Sequence, residues 1–348
     1  MMDLAEGTMA ALGAVVERLP GRDGHGDVVT ARLGFDHPPE SLGILVLGHL
    51  DTVHLVGSLA SDLPVCRDGD QLFGPGVLDM KGGMFLACHA VEKLLALRGR
   101  LNLPLTFLFI PDEEIGSPST RAVIEAAARG AKYVLVPEPA KPDAFVTGRH
   151  AFLRYTLHAH GQPAHAGIAA GVGRSAISVM ARLIVEIEGY SDVAREVTYR
   201  VGNIRGGTFV NVIPTDCHAE VLCVAPDEAA FAEIQARMAA ITSPETEVRV
   251  VVEAGPIRPL FRAHAGTLEL LAVAQRVARD LGLELGHGQF GGGSDGNFTG
   301  ALGVPTLDGL GVEGTGVHTK GEHLLVSSLA TRAHLFAGLV AALSDRNV

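Results

Sequence analysis

Two segments in the first quarter of the sequence place metal-binding and proton-transferring residue types at short spacing. GHLDTVH carries His49 and Asp51 two residues apart, and GPGVLDMKGG carries Asp79 in a loop that its glycines allow to bend sharply. Side chains two apart at a strand end point to the same side, so Asp51 could hold one ring nitrogen of His49 while the other binds a metal. Taken alone, each segment is more often a capped strand end or a solvated turn.

Three later segments add further candidate ligands. PDEEIGS supplies Glu113 and Glu114, VLVPEPA supplies Glu138 between two prolines, and GTGVHTKGEH supplies His318 in a loop rich in glycine. Adjacent acids usually mark a solvated helix start. Acids packed together would repel one another unless a cation binds one and another handles protons. Together the segments offer ligands suited to zinc, manganese or cobalt, with one carboxylate left over as the general base of a metallohydrolase.

Most of these segments follow elements that predict an α/β layer structure. Short apolar runs suit strands covered on both faces, as in a parallel sheet, and they lie at 43–48, 103–110, 133–136 and 304–307. Apolar residues at three- and four-residue spacing predict helices at 84–97, 120–128, 268–281 and 327–343. In open α/β sheets a site lies beyond the carboxyl ends of the strands, which is where these segments stand.

The middle of the chain has a different pattern. It predicts strands at 152–159, 198–203, 216–224 and 247–253, and helices at 173–188 and 228–241. The order β-α-β-β-α-β is that of a ferredoxin-like α+β unit. We therefore predict an inserted domain at 151–256 and a catalytic domain built from 1–150 and 257–348.

Composition excludes several classes of protein. With 348 residues, 47% of them hydrophobic, the chain is globular rather than disordered. Its formal net charge of −11 disfavours nucleic acid as a partner. Four cysteines without a CxxC pair indicate reduced thiols. The acidic N-terminal segment does not read as an export signal, and no apolar run approaches a membrane span of about 18 residues. We expect a cytoplasmic protein without a membrane partner.

The order and spacing of the motifs resemble the M20 family of metallopeptidases and deacylases. The match runs over nearly the whole chain through GHLDTVH, GPGVLDMKGG, DEEIGS, PEP, GQPAHAG, NVIP, GGGSDGNF and GVHTKGEH. The resemblance implies a zinc-peptidase-like α/β catalytic domain with a mostly parallel sheet, interrupted by an α+β lid domain that also forms a homodimer. It implies hydrolysis of an amide bond in a small peptide or an N-acyl amino acid, by a carboxypeptidase-like enzyme or a deacylase.

The same resemblance implies the cofactors and their ligands. His49, Asp79 and Glu138 would bind one divalent ion, and Asp79, Glu114 and His318 would bind a second. Asp79 would bridge the two ions, which would share a hydroxide. Zinc is favoured for both positions, with cobalt and manganese as alternatives.

Catalytic and substrate-binding roles also follow from the resemblance. Glu113 would be the general base, and Asp51 would orient a histidine ligand. His165 in GQPAHAG would reach a partner subunit's site and stabilise the oxyanion. Asn211 in NVIP and Arg258 in PIRPLF would hold polar groups of the substrate; outside this resemblance they would read as a turn residue and a surface charge.

One departure from the family pattern bears on substrate choice. Glutamate-releasing members often carry an arginine just before the triple glycine, where this sequence has Gln289. The departure weakens an assignment to C-terminal glutamate. The sequence SDGNF resembles the deacylase branch as much as the carboxypeptidase branch, so the acyl group and the amino acid stay open.

Three alternatives compete with the metal-dependent hydrolase. The stretch 286–291 satisfies G-x-G-x-x-G, but a dinucleotide site requires a helix after it, and GGSDGN does not favour one. The stretch 292–296 satisfies G-x-S-x-G, so Ser294, Asp308 and His318 could form a serine hydrolase triad, which would leave the other acids without roles. A catalytically silent binding protein on the same scaffold should lack some ligands or the base, and none is missing.

Overall fold

A computed structural model describes residues 1–34, 37, 41–168 and 171–346 of the chain. In chain order its strands are β1 (Val15–Leu19), β2 (Val28–Leu33), β3 (Gly43–His49), β4 (Cys66–Asp68), β5 (Gln71–Phe73), β6 (Leu105–Ile110), β7 (Ala131–Leu135), β8 (Ala144–Arg149), β9 (Ala151–His160), β10 (Thr198–Gly206), β11 (Asp216–Ala225), β12 (Arg249–Arg258), β13 (Gly286–Phe290), β14 (Thr306–Leu307), β15 (Gly314–Thr315) and β16 (His323–Leu325). Its α-helices are α1 (Met2–Ala11), α2 (Gly82–Arg98), α3 (Arg121–Arg129), α4 (Ala176–Glu188), α5 (Glu228–Ala239), α6 (Ala265–Asp280), α7 (Gly296–Ala301) and α8 (Val326–Asp345).

These elements form two compact units. Unit 1 contains Met1–Arg149, Phe261–Phe290 and the chain from Ser294 onward, and unit 2 contains His150–Leu260 together with Gly291–Gly293. Each unit has its own cluster of buried apolar side chains.

The bounds of unit 2 differ from the expected 151–256 at two places. The strand β12 continues to Arg258, which pairs with Phe152 of β9. The segment Gly291–Gly293, expected in the catalytic domain, groups with unit 2. A Cβ placed on Gly293 would lie 3.3 Å from the ring of Phe152 and 3.4 Å from Cδ of Arg258. The absence of a side chain therefore lets the backbone at Gly293 lie close to Phe152 and Arg258 within unit 2.

The largest sheet of unit 1 has the order β1-β2-β6-β3-β7-β14. The strands from β6 to β14 are parallel, whereas β1 and β2 are antiparallel. This mixed α/β sheet confirms the predicted class. The strand β3 is central and buried at every residue, which explains its uninterrupted apolar run. Because β3, β6 and β7 are parallel, their carboxyl ends lie at the same edge of the sheet.

Two smaller sheets of unit 1 were not expected from the sequence. One has the order β15-β16-β5-β4 with antiparallel pairs, and the other joins β13 to β8 in parallel. The stretch that satisfies G-x-G-x-x-G is therefore mostly the strand β13, not a turn that opens a helix, so a dinucleotide site is not supported. Among the described residues, α8 alone is long and apolar enough to span a membrane. Three of its side chains, Phe336, Leu339 and Leu343, are buried in the core of unit 1.

Unit 2 is an antiparallel sheet with two helices. The sheet order is β10-β11-β9-β12, and α4 and α5 follow β9 and β11 along the chain. The strand β9 alternates buried and half-buried residues, because one face of the sheet covers the apolar cluster that includes Leu153, Leu183 and Ile234. The element order is the predicted β-α-β-β-α-β.

Candidate active site

His49 ends β3, and carboxylates face both of its ring nitrogens. The side chain is 1% exposed, and its Nδ1 lies 3.2 Å from the backbone oxygen of Asp51 and 3.4 Å from Oδ1 of that residue. Its Nε2 lies 3.3 Å from Oδ1 of Asp79. Asp51 also accepts hydrogen bonds from the backbone N–H groups of Glu113 at 3.2 Å and Glu114 at 3.0 Å. The Asp51 carboxylate therefore lies beside Nδ1 of His49 and ties the end of β3 to the turn after β6.

Asp79 lies in the segment Val77–Lys81, directly before α2, at a kink where its own backbone angles and those of Met80 are non-helical. Its second carboxylate oxygen, Oδ2, lies 3.3 Å from Nε2 of His318. Oε2 of Glu114 lies 3.1 Å from the same nitrogen. His318 lies in the loop between β15 and β16 and has a left-handed backbone with φ 62°. Asp79 thus faces a histidine with each of its oxygens.

Two further carboxylates complete this cluster. Oε1 of Glu138 lies 3.8 Å and Oε2 of Glu113 lies 4.0 Å from Nε2 of His49. Both glutamates are buried, at 5% and 6% exposure. His49 ends β3, Glu113 follows β6 and Glu138 follows β7, so the parallel strands explain why residues distant in sequence meet. All the predicted site residues of unit 1 come together at this edge of the sheet.

Burial and neighbouring charges shift the pKa values of the cluster. Burial raises the pKa of Glu138 well above its ordinary value, and the charge of Asp79 adds to that rise. Burial also raises the pKa of Glu114. Hydrogen bonds with Asp79 and Glu114 raise the pKa of His318 to about 10. Burial lowers the pKa of the nearby Lys81 ammonium. The cluster therefore holds more acidic groups than its own cations can balance.

The residues of the cluster fit a divalent metal ion. His49, Asp79 and Glu114 each offer one ligand atom, and these atoms all lie within 4.8 Å of one another. Imidazole and carboxylate donors suit zinc, cobalt and manganese. A metal-binding histidine needs a partner for its other nitrogen, and Asp51 supplies one. A cation would also balance the excess of acidic groups.

The serine-hydrolase alternative is not supported by the surroundings of Ser294. Its side chain is fully buried, and its hydroxyl donates to Oδ2 of Asp308 at 2.6 Å. Asp308 in turn accepts two hydrogen bonds from Arg149, at 2.7 and 2.8 Å. The third member of the supposed triad, His318, contacts Asp79. A nucleophilic serine needs a base within hydrogen-bond reach, and the partner of Ser294 is a carboxylate held by an arginine.

The three other predicted residues lie in unit 2. The backbone N–H of Ala166 donates to the backbone oxygen of Asn211 at 3.0 Å, so the His165 and Asn211 segments are adjacent. The N–H of Gly167 donates to Nδ1 of His165 at 3.2 Å, which leaves Nε2 to carry the proton of the neutral ring. His165 and Asn211 are exposed, whereas Arg258 is buried at the end of β12.

Two buried acids contact the loops of the site, although the sequence assigned neither of them a role. Asp112 accepts hydrogen bonds from Ser119 and Thr120 and so fixes the turn after β6. Glu322 accepts hydrogen bonds from the backbone around Asp79. Both acids lie inside segments that were singled out for other residues, PDEEIGS and GVHTKGEH. Their only sequence signal was this proximity to candidate ligands.

The chain is similar in sequence to known peptidases. The sequence model of peptidase family M20/M25/M40 matches residues 45–342. Carboxypeptidase G2 of Pseudomonas sp. (strain RS-16) is 30% identical over 305 residues, covering 85% of this chain and 73% of that protein. A probable carboxypeptidase of Trichophyton verrucosum is 26% identical over 241 residues. The match covers 63% of this chain and 52% of that protein, so this chain spans about half the length of that relative.

A solved structure shares the fold. The YXEP protein of Bacillus subtilis, described as a dinuclear metal binding peptidase from the M20 family, superposes with a TM-score of 0.64 at 15% identity. The superposition covers 99% of this chain and 91% of that one.

Proposed function

The chain belongs to peptidase family M20/M25/M40, and on that premise we propose that it is a two-metal hydrolase that cleaves the amide bond of a small peptide or an N-acyl amino acid. The observation that carries the proposal is the position of Asp79 between two histidines. Its Oδ1 lies 3.3 Å from His49, and its Oδ2 lies 3.3 Å from His318. A carboxylate that faces two separate imidazoles suits a pair of ions with one shared ligand.

The proposed ligand sets follow these contacts. His49, Asp79 and Glu138 would hold one ion, and Asp79, Glu114 and His318 would hold the other. We favour zinc because imidazole and carboxylate donors suit it, with cobalt or manganese as alternatives. When bound, such ions polarise a substrate carbonyl and lower the pKa of a bound water towards about 7.

Glu113 is the proposed proton carrier. Its carboxylate is buried beside His49, and its backbone N–H is fixed by Asp51. In this role Glu113 accepts a proton from the attacking water and passes it to the leaving amine.

The unit 2 residues are proposed to act on the substrate. His165 presents an Nε2–H donor that suits an oxyanion, and we propose that it acts in a partner subunit's site within a homodimer formed through unit 2. Asn211 and Arg258 would bind polar groups of the substrate. Because one relative is a carboxypeptidase, release of a C-terminal amino acid is the first reaction to test, with deacylation as the second.

The experiment begins with metal-free protein that is reconstituted with zinc, cobalt or manganese. Hydrolysis is then measured on dipeptides, N-acetyl amino acids and acyl-glutamates. We expect activity on at least one class, loss of activity with a strong chelator, and recovery on adding metal. Failure of every reconstituted form to cleave any of these substrates would refute the proposal.

The variant Glu113→Gln tests the proton carrier. We expect kcat to fall by about 10²–10⁴-fold while the metal content stays near that of the wild type. The matched control is Glu125→Gln, which changes a carboxylate of α3 that pairs with Arg121 outside the cluster. A Glu113→Gln enzyme as active as this control would show that another group carries the proton.

A further inference from the structure

Glu322 is a buried carboxylate whose two oxygens bind four hydrogen-bond donors. Its Oε1 accepts from the backbone N–H groups of Leu78 at 3.0 Å and Asp79 at 3.1 Å. Its Oε2 accepts from the backbone N–H of Gly76 at 3.0 Å and lies 2.7 Å from Nε2 of His54. The side chain is only 2% exposed. A carboxylate removed from water must satisfy its oxygens within the protein, and this one does so through the loop that carries Asp79.

The contacts of Glu322 join three segments of the site. The segment from Gly76 to Asp79 carries the carboxylate that faces both histidines. Glu322 itself lies four residues after His318, at the other end of the loop between β15 and β16. His54 lies five residues after His49 in GHLDTVH, and its backbone N–H donates to Oγ1 of Thr52 at 2.9 Å.

The backbone of the loop that Glu322 contacts is closely packed against neighbouring residues. Gly76 has a left-handed backbone with φ 68°. A Cβ on Gly76 would lie 2.4 Å from Nζ of Lys81 and 2.7 Å from Cγ2 of Thr52. The backbone of this turn therefore passes close to its neighbours, and its N–H groups point at a single acceptor. Hydrogen bonds from N–H groups to an ionised carboxylate are stronger than neutral ones.

We propose that Glu322 is a positioning residue that holds the backbone of Asp79 and the loop of His318 in one arrangement, so that both are ready for metal ions. His54 supports Glu322 from the side of β3. The inference rests on the proposed function only in requiring that ions bind at Asp79 and His318. Removing the carboxylate should weaken ion binding in protein that is still folded, because groups behind metal ligands commonly change affinity by about 10–100-fold.

The test uses Glu322→Gln in the full chain. Glutamine keeps the shape but replaces one acceptor oxygen by an NH₂ donor, which would face either two backbone N–H groups or one N–H and His54. We expect zinc affinity of the metal-free protein, measured by competition with a chromophoric chelator, to fall by about 10–100-fold. The effect should extend to both ions, because the loops of Asp79 and His318 are both joined to Glu322.

Thermal unfolding of the metal-free protein provides the readout that separates positioning from stability. The matched control is Asp70→Asn, since Asp70 accepts from the N–H and hydroxyl of Ser327 at 2.8 and 2.6 Å at the start of α8, in the same unit. Asp70→Asn should lower the unfolding temperature but leave zinc affinity unchanged. Glu322→Gln should lower both.

A milder variant keeps the test decisive if Glu322→Gln does not fold. His54→Ala removes one of the four donors and should weaken zinc binding several-fold, with a smaller change in unfolding temperature. Unchanged zinc affinity in the folded variants, or an equal loss in Asp70→Asn, would overturn the proposal. These outcomes are distinct from a failure of the proposed function, in which the wild type binds zinc normally but hydrolyses none of the amide substrates.

Discussion

The variant Ser294→Ala tests whether that hydroxyl supports the structure or acts as a nucleophile. The hydroxyl donates to Oδ2 of Asp308 at 2.6 Å and accepts from the backbone N–H of Gly296 at 3.0 Å. Alanine keeps the Cβ and removes only these two hydrogen bonds. Asp308 retains the two bonds from Arg149, so the substitution leaves no charge unpaired.

The magnitude of the expected destabilisation follows from those contacts. A hydrogen bond to a charged group contributes about 1.5–3 kcal/mol, and a buried N–H left without a partner costs about 1–3 kcal/mol. Allowing for partial relaxation, we expect the free energy of unfolding to fall by about 2–4 kcal/mol. For a unit of this size that corresponds to a fall of about 4–16 °C in Tm.

The assay compares kcat and Tm of Ser294→Ala with those of a second buried-serine variant, Ser328→Ala. The Ser328 hydroxyl donates to the backbone oxygen of Leu325 at 2.7 Å and accepts from the N–H of Glu313 at 3.2 Å, away from the cluster. Below their unfolding temperatures both variants should keep kcat within about threefold of the wild type. Loss of a serine nucleophile costs on the order of 10⁶-fold in kcat. A folded Ser294→Ala enzyme that loses more than about 10³-fold, while Ser328→Ala does not, would refute our reasoning.

Three further predictions concern the metal cluster and unit 2. Asp51→Asn should weaken zinc binding by about 10–100-fold, because it disturbs the partner of a proposed ligand; competition titration measures it. Hydrogen bonds with Asp79 and Glu114 raise the pKa of His318 to about 10, so this proposed ligand carries a proton at neutral pH without metal, and burial raises the pKa of Glu138. Zinc binding should therefore release protons and weaken as pH falls, which calorimetry in buffers of different ionisation enthalpy detects; a proton count near zero would contradict this. His165→Ala should lower kcat by about 10²–10³-fold without changing metal content; loss of metal on elemental analysis would mean that the residue is misassigned.

The sequence predicted the buried strands and the long helices because their patterns are local. The strand β3 is buried at every residue and reads as an apolar run, and β9 alternates because one of its faces covers the core of unit 2. The short strands β4, β5, β15 and β16 have no such pattern. The residues of β4 are exposed and those of β5 half-buried, and pairing across distant segments, rather than burial, makes them strands.

Local sequence patterns likewise predicted only part of the site. His49, Glu113 and Glu138 could be placed together because each follows a strand of one parallel sheet, whose carboxyl ends meet at one edge. The contact between Glu322 and the turn of Asp79 depends on the fold of two loops that lie far apart in sequence. Nothing in the residue type of Glu322 distinguishes it from a solvated acid, and only the three-dimensional structure shows that it is buried.

The negative charge of the cluster indicates that metal binding and folding stability are linked in this protein. Asp79, Glu113, Glu114 and Glu138 lie together in a largely buried setting. Of the buried arginines of the same unit, Arg149 is paired with Asp308 and Arg332 donates to the backbone oxygens of Gly309 and Gly311. Burying like charges without compensation costs free energy, so the cluster lowers the stability of the metal-free protein. An ion that binds only the folded state stabilises it by about 2.7 kcal/mol at 100 times its Kd. The ions would thus offset an unfavourable arrangement of carboxylates that catalysis requires.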